Sequence, residues 1–121
     1  MTEALKGLRV VDFTQNVAGP VATMLLGDFG ADVIKVEPPD GDVMRKTGET
    51  KVGDEAAYFL SVNRSKRSIV LDLSSDAGRQ AAQELAANAD MVFENFRPGV
   101  AERLGIGYGA HKERHPRLIL C

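Results

Sequence analysis

Residues 9–37, RVVDFTQNVAGPVATMLLGDFGADVIKVE, decide the fold class of this chain. Arg9–Phe13 is a short apolar run with β-branched residues and is typical of a buried strand. Asp32–Glu37 is predicted to be a second strand, which the prolines that follow it cannot extend. Between them, Pro20 stands where the first turn of a helix accepts proline. The helix that follows, Val21–Phe29, is apolar on most faces and is therefore expected to be largely buried. This strand–helix–strand unit predicts two parallel strands joined by a right-handed crossover.

The rest of the chain continues the alternation of strands and helices. The predicted elements are a helical turn at Ala56–Val62, strands at Ser68–Leu73 and Asp90–Glu94, a helix capped by Ser74 or Ser75, a short helix at Pro98–Leu104, another around His111–Arg114, and a final strand at Arg117–Cys121. The capped helix carries an i, i+4 stripe of small side chains at Ala77, Ala81, Leu85 and Ala89. The alternation predicts an α/β domain with a Rossmann-like open, mainly parallel sheet and flanking helices.

One segment shows no clean periodicity. Residues 40–55, DGDVMRKTGETKVGDE, are rich in glycine and charge. A loop of this length in a compact domain is usually a functional flap or a disordered excursion. Both alternatives stay open at the level of sequence.

Composition excludes several classes of protein. The 121 residues, of which 44% are hydrophobic, suffice for one domain with its own core. A formal net charge of −2 gives no global field for nucleic acid or an anionic membrane. The single cysteine, Cys121, excludes an intrachain disulfide and a cysteine-rich metal site. There is no apolar run long enough to span a bilayer, and the opening residues lack the apolar core of a signal peptide. We therefore expect a cytoplasmic protein with no nucleic-acid or membrane partner.

The last five residues, RLILC at 117–121, form an apolar strand on which the sequence stops. Because an apolar strand normally has a neighbour or a following loop, a natural domain seldom ends on one. We therefore expect residues 1–121 to be the N-terminal part of a longer chain.

Three loops are the first candidates for a site. In open parallel sheets, ligands bind beyond the carboxyl ends of the strands, which selects Thr14–Gly19, Leu71–Ser75 and Asn95–Gly99. Each loop carries polar or glycine residues. Ordinary turns between strands and helices have the same composition, so position alone does not decide between a site and a turn.

Cations form two further candidates. The stretch Asn63–Arg67 has three cations in four residues and is either a solvated turn or a phosphate-binding segment. Arg97 and Arg103 flank the helix predicted to start at Pro98, and an arginine beside a helix start attracts anions. On these residues alone, neither stretch is assigned.

Other patterns favour structure over chemistry. Gly27–Gly30 and Gly105–Gly109 do not follow a strand, so they indicate turns rather than a dinucleotide fingerprint. His111 and His115 have the spacing of a two-histidine metal face, but the charged residues between them favour a solvated helix without metal. Asp12, Asp72 and Asp90 lie in or beside predicted strands without an assignable partner for catalysis. Taken alone, the residues predict an α/β domain with an anion-binding edge.

Several motifs together resemble the family III CoA-transferases, a group that includes formyl-CoA transferase, carnitine CoA-transferase and α-methylacyl-CoA racemase. The motifs are LKGLRVVDFT at 5–14, AGP at 18–20, LGDFGADVIKVEP at 26–38, NRSKRSIVLDL at 63–73, ENFRPGV at 94–100 and RLG at 103–105. They occur in the order and spacing of the family and cover nearly the whole chain.

The resemblance implies a site for CoA across the carboxyl ends of the strands. The positions that match CoA contacts in the family are Val17, Ala18, Leu71, Asp72, Leu73, Asn95, Phe96, Arg97 and Arg103. CoA presents phosphates to cations and an adenine to apolar or aromatic surface. Pro38 departs from the family, since some relatives have an arginine there. The resemblance implies CoA and acyl-CoA as substrates, with no tightly bound cofactor.

The resemblance also implies a reaction. A carboxylate of the enzyme attacks the acyl-CoA thioester, and an acyl anhydride and an enzyme–CoA thioester follow. The aspartate that matches this nucleophile is expected beyond Cys121, so no catalytic residue is assigned in this chain. The partners implied are a CoA thioester, a carboxylic acid and a second subunit in an interlocked homodimer. The alternatives are an acyl-CoA racemase of the same superfamily and a CoA- or nucleotide-binding module without catalysis.

Overall fold

The computed structural model describes residues 3–121. In chain order the elements are β1 (Arg9–Asp12), α1 (Ala18–Asp28), β2 (Asp32–Glu37), a single helical turn (Val43–Lys46), β3 (Lys51–Val52), β4 (Glu55–Ala56), α2 (Ala57–Asn63), β5 (Lys66–Val70), α3 (Asp76–Ala87), β6 (Met91–Phe93), α4 (Val100–Leu104), α5 (Tyr108–His111) and β7 (Ile119–Leu120).

Five parallel strands form the main sheet, in the order β5-β2-β1-β6-β7. Val11 of β1 stands between Ile34 of β2 and Val92 of β6 in the register. After β1 the chain adds β2 and β5 on one side, and later β6 and β7 on the other. The order therefore reverses between β1 and β6, where open α/β sheets bind ligands. The predicted Rossmann-like α/β fold is confirmed.

The core lies on both faces of the sheet, and the residues of β1 alternate between them. Val10 packs with Ala31 and Val33 on one face. Val11 belongs to the larger cluster on the other face, together with Phe13, Val36, Ala82, Ala86, Ala89, Val92, Ala101 and Ile106. This alternation is the period of two that a strand imposes on its side chains.

Helix α3 packs with a different face from the one predicted. Ser75 caps it, as expected, by accepting a hydrogen bond from the amide of Gly78 at 3.0 Å. Its buried residues are Gly78, Ala82 and Ala86, one position along from the predicted stripe of Ala77, Ala81 and Leu85; of that stripe only Ala89, which follows the helix, is buried. A Cβ at Gly78 would lie 1.9 Å from the carbonyl oxygen of Asp72. Since only glycine allows this approach, it sets the rotation of the helix.

Helix α1 is less buried than its composition predicts. Pro20 lies in its first turn, as expected, and is buried with Thr23 and Met24. Leu25 and Phe29 are 45% and 48% exposed. The prediction of a largely buried helix is therefore wrong, because no part of residues 3–121 covers the outer face of α1.

Residues 40–55 are ordered, so the alternative of a disordered excursion is wrong. Asp42 caps the helical turn by accepting from the amide of Met44, and both side chains are buried. Strands β3 and β4 then pair as a small antiparallel hairpin. The segment is held by polar contacts across it, which apolar periodicity does not show.

Three other boundaries differ from the predictions. Strand β5 covers Lys66–Val70, so residues 71–73 follow it rather than end it. Helix α4 begins at Val100, because Gly99 at a φ of +83° separates it from Pro98. Helix α5 ends at His111, which is only 7% exposed, so the expected helix at 111–114 is wrong, whereas the predicted exposure of residues 112–114 is confirmed. Within residues 3–121 no group of three metal-ligating side chains comes together, and no helix is long and apolar enough to cross a bilayer.

Candidate functional site

A cavity of about 250 Å³ opens at the carboxyl edge of the sheet. It lies where β1, β2, β5 and β6 end, which is the position that the reversal of strand order selects. Its lining residues are Phe13, Gln15, Val36, Glu37, Pro38, Pro39, Leu71, Asp72, Leu73, Ser74 and Phe96. The walls are mainly apolar, with two carboxylates among the lining side chains. We call this the strand-end cavity.

A second, more open cavity of about 650 Å³ adjoins it. The two share Leu73, Ser74 and Phe96, and the second is completed by Arg79, Val100, Arg103 and Leu104. We call this the arginine cavity. Arg79 pairs with Asp76 and donates to the carbonyl oxygen of Ser74 at 2.7 Å. Arg103 is exposed and forms no ion pair within the described chain. An apolar surface with acidic groups thus continues into a surface with two cations.

The structure brings together part of the predicted CoA-contact set. Leu71, Asp72, Leu73, Phe96 and Arg103 all line one or both cavities. The other four, Val17, Ala18, Asn95 and Arg97, are exposed in or beside the loops at the same edge but outside these linings.

Asn95 joins two of the predicted loops. Its side-chain oxygen accepts from the amide of Gln15 at 3.0 Å, and its side-chain nitrogen donates to the carbonyl oxygen of Gln15 at 2.8 Å. The loops after β1 and β6 are therefore fixed relative to each other on either side of the strand-order reversal.

The end of β2 contributes to the site although it is not among the predicted loops. Glu37, Pro38 and Pro39 at its carboxyl end line the strand-end cavity. The rule that selected the loops after the other strands applies equally to β2. In the sequence, Pro38 stands out only as a departure from the family pattern.

The turn after β5 holds Asp72 as a charged acceptor. Asp72 accepts from the hydroxyl of Ser74 at 2.6 Å and from its amide at 2.9 Å. These hydrogen bonds lower the pKa of Asp72 below its usual value. Since Ser75 caps α3 directly afterwards, the wall shared by the two cavities is built from an ordered turn.

Glu37 is buried and fully engaged. Arg45 binds it in a bidentate manner at 2.7 and 2.8 Å, and the hydroxyl of Ser68 and the amide of Asp42 donate at 2.6 and 2.9 Å. Burial acts to raise the pKa of Glu37, but these hydrogen bonds outweigh it and lower the pKa to about 2. Arg45 also contacts Glu55 at 2.9 Å and lies over the ring of Phe59. Because its acceptor positions are occupied, the carboxylate of Glu37 is a structural part of the cavity wall.

Acid is therefore expected to destabilise the fold through Glu37. Its pKa in the folded state lies below the usual value of 4.5, so its contribution is complete above pH 4.5 and is lost as the pH falls towards 2. The shift corresponds to about 3 kcal/mol of the free energy of unfolding. Urea unfolding at pH 6, 4.5 and 3 measures it. A Glu37→Gln variant should show a weaker decrease between pH 4.5 and 3; an unchanged decrease would remove Glu37 as its source.

The basic stretch at 63–67 pairs within the fold. Arg64 pairs with Asp28, Arg67 with Asp32, and the buried Lys66 with Asp12. Burial lowers the pKa of Lys66, and Asp12 opposes that shift. The stretch lies at the amino end of β5, away from both cavities. These pairs favour a structural role for the stretch over phosphate binding, and the solvated turn is wrong in the case of Lys66.

The family of this chain is identified by its similarity to known proteins. The family model for CoA-transferase family III matches residues 5–121. This chain belongs to CoA-transferase family III. The match includes the loops after β1, β2, β5 and β6 that surround the two cavities.

Named relatives and solved structures agree with this membership. The chain is 51% identical, over 96% of its length, to succinyl-CoA:mesaconate CoA-transferase of Haloarcula hispanica, and 46% identical, over 97%, to human succinyl-CoA:glutarate CoA-transferase. The crystal structure of a CAIB/BAIF family protein from Brucella suis has a TM-score of 0.92 at 42% identity, covering 100% of this chain. That of Rv3272 from Mycobacterium tuberculosis has a TM-score of 0.86 at 47% identity, covering 95%.

The chain matches only part of each relative. It spans 30% of the Haloarcula protein and 27% of the human one, and 33% and 32% of the two crystallised chains.

Proposed function

We propose that this chain forms the CoA-binding part of a CoA-transferase that moves CoA from a thioester to a carboxylic acid. The observation that carries the proposal is the pair of adjoining cavities at the reversal of strand order, in a chain that belongs to a CoA-transferase family. The relatives described above are named as transferases, which favours transfer over the racemase alternative.

The chemistry of the two cavities suits the two ends of a nucleotide. Leu71 and Phe96, which are only partly buried, offer apolar surface to an adenine ring, and the buried Phe13 packs against Phe96. Asp72 keeps its charge and is an acceptor for the exocyclic amine of that ring. Arg103 is a cation whose charge is not neutralised within the described chain, and it suits the phosphates. Val17, Ala18, Asn95 and Arg97 are proposed to complete the contacts along the same edge.

The nucleophilic carboxylate is proposed to lie in the part of the family that this chain does not match. Both oxygens of Glu37 are engaged by Arg45 and other donors. Asp12 is fully buried beneath the loop after β1. Neither side chain is available to attack a thioester. What the described residues supply is binding and orientation of CoA. A homodimer, a cytoplasmic location, and CoA as a substrate rather than a resident cofactor belong to the same proposal.

Arg103→Ala should weaken CoA binding without unfolding the chain. The loss of a charged hydrogen bond to phosphate predicts a decrease of about 1–3 kcal/mol in binding free energy. Calorimetric titration with CoA, on protein shown to be folded by circular dichroism, measures it. Arg117→Ala is the matched control, because Arg117 is also exposed but precedes β7 at the opposite edge of the sheet.

The titration has two informative failures. If the folded chain shows no heat of binding with CoA, an autonomous CoA site is excluded. If Arg103→Ala binds as tightly as the unsubstituted chain, Arg103 is outside the site and the phosphates lie elsewhere.

A further inference from the structure

Four charged side chains are buried together beneath the loop that follows β1. Asp12 and Asp42 have no exposed surface, and the side chains of Lys35 and Lys66 are each 2% exposed. Lys66 lies 3.0 Å from Asp12, and Lys35 lies 2.8 Å from Asp42. Two positive and two negative charges thus balance inside the fold.

The cluster holds the backbone of Thr14 from both sides. Asp12 accepts a hydrogen bond from the amide of Thr14 at 2.9 Å and another from its hydroxyl. Lys35 donates to the carbonyl oxygen of Thr14 at 2.8 Å. Because the next residue, Gln15, is held by Asn95, two consecutive residues at the carboxyl end of β1 have their backbone polar groups bound by side chains.

Lys35 also ties this loop to the segment after β2. Its partner Asp42 caps the helical turn that contains Arg45, and the amide of Asp42 donates to Glu37. An apolar side chain at position 35 would avoid the free-energy penalty of burying a charge. What an apolar side chain could not do is bridge the Thr14 carbonyl and the Asp42 carboxylate.

We propose that Lys35 is a positioning residue for the CoA site. It bridges the loop after β1 and the segment after β2, and so holds Gln15 and the start of α1 in the geometry that receives CoA. Asn16, with a φ of +68°, turns the chain from this clamp into α1, where Val17 and Ala18 follow. Lys35 acts through Thr14 and Asp42 and does not touch the ligand. The expected effect of Lys35 on CoA affinity rests on the proposed CoA-binding function, whereas its expected effect on the loop does not.

The test separates positioning from stability. Lys35→Met alone leaves Asp42 as an unpaired buried charge and should destabilise the whole fold. Adding Asp42→Asn removes that charge, so the double variant should recover much of the lost stability while the bridge stays absent. We expect its dissociation constant for CoA to remain about tenfold weaker than that of the unsubstituted chain, because an unclamped loop must be ordered on binding.

Hydrogen exchange provides a readout that needs no ligand. In the double variant, the amides of Thr14 and Gln15 should exchange about tenfold faster relative to the amide of Val11 in the core, since the loop opens locally. Normalising to Val11 removes any global loss of stability. The control is Arg67→Met with Asp32→Asn, which removes an ion pair at the opposite edge and should change neither affinity nor loop exchange.

The outcomes test the positioning role of Lys35 and the proposed binding of CoA separately. Unchanged relative exchange in the Lys35→Met/Asp42→Asn variant overturns the positioning role, whatever the affinity. Faster loop exchange with unchanged CoA affinity also overturns it, because the clamp would then not serve the site. If the unsubstituted chain binds no CoA, the proposed function fails, and exchange alone decides whether Lys35 holds the loop.

Discussion

Replacing Arg45 with methionine is expected to remove about 3–5 kcal/mol of the free energy of unfolding, because it leaves the buried carboxylate of Glu37 without its cation. Glu37 is 2% exposed and receives two of its four hydrogen bonds from Arg45. Methionine has a similar length but no donor, and it also loses the contact with Glu55. Chemical unfolding near pH 7 measures the loss.

The matched control for this change is Arg67→Met. Arg67 also pairs with a carboxylate, that of Asp32, but the two side chains are 65% and 38% exposed. An exposed pair contributes about 0–1 kcal/mol, so the control should unfold close to the unsubstituted chain. Glu37→Gln combined with Arg45→Met should recover part of the loss, since the buried charge is then gone. Equal effects of Arg45→Met and Arg67→Met would contradict the interpretation that burial makes the Glu37 pair important.

Phe13→Ala is expected to lower the free energy of unfolding by about 3–5 kcal/mol through loss of a large buried side chain and the space it leaves. Phe13 is 2% exposed, belongs to the larger core cluster and packs against Phe96 with ring centroids 6.3 Å apart. The same ring forms part of the strand-end cavity. The substitution should therefore weaken CoA binding as well as stability.

Phe29→Ala is the control for size and chemistry. Phe29 directly follows α1 and is 48% exposed, so the same truncation should cost less than about 1 kcal/mol. Urea unfolding of both variants provides the comparison. If Phe29→Ala proves as destabilising as Phe13→Ala, the assignment of the core to the sheet-facing clusters is wrong.

The architecture was predictable because most of the strands can be recognised from their local residue composition. β1, β2 and β6 are short segments built around β-branched or other apolar residues, and each was placed to within one or two residues. Their parallel order follows from the crossovers that join them. The rotation of α3 was not predictable in this way. Alanines occur on neighbouring faces of that helix, and the close approach of Gly78 to the Asp72 carbonyl, which selects the buried face, is a tertiary contact.

Part of the candidate site was also within reach of the sequence. Ligands bind at the carboxyl ends of parallel strands, and this rule together with the family motifs identified Leu71–Leu73, Phe96 and Arg103. The ion pairs of the cations at 64–67 were not predictable in this way. Their partners, Asp12, Asp28 and Asp32, are more than thirty residues away in the chain. The ordering of residues 40–55 was not predictable for a different reason. Arg45 and Asp42 are anchored by Glu37 and Lys35 of β2, through polar contacts that leave no periodic pattern.

The most direct test of the central claim is a titration of the isotopically labelled chain with CoA, followed by the chemical shifts of its backbone amides. A site at the reversal of strand order predicts saturable shifts concentrated in residues 13–18, 71–74 and 95–103, with the strand starts at Arg9 and Lys66 unaffected. Shifts confined to the opposite edge of the sheet, or no saturable shifts from a folded chain, would contradict it.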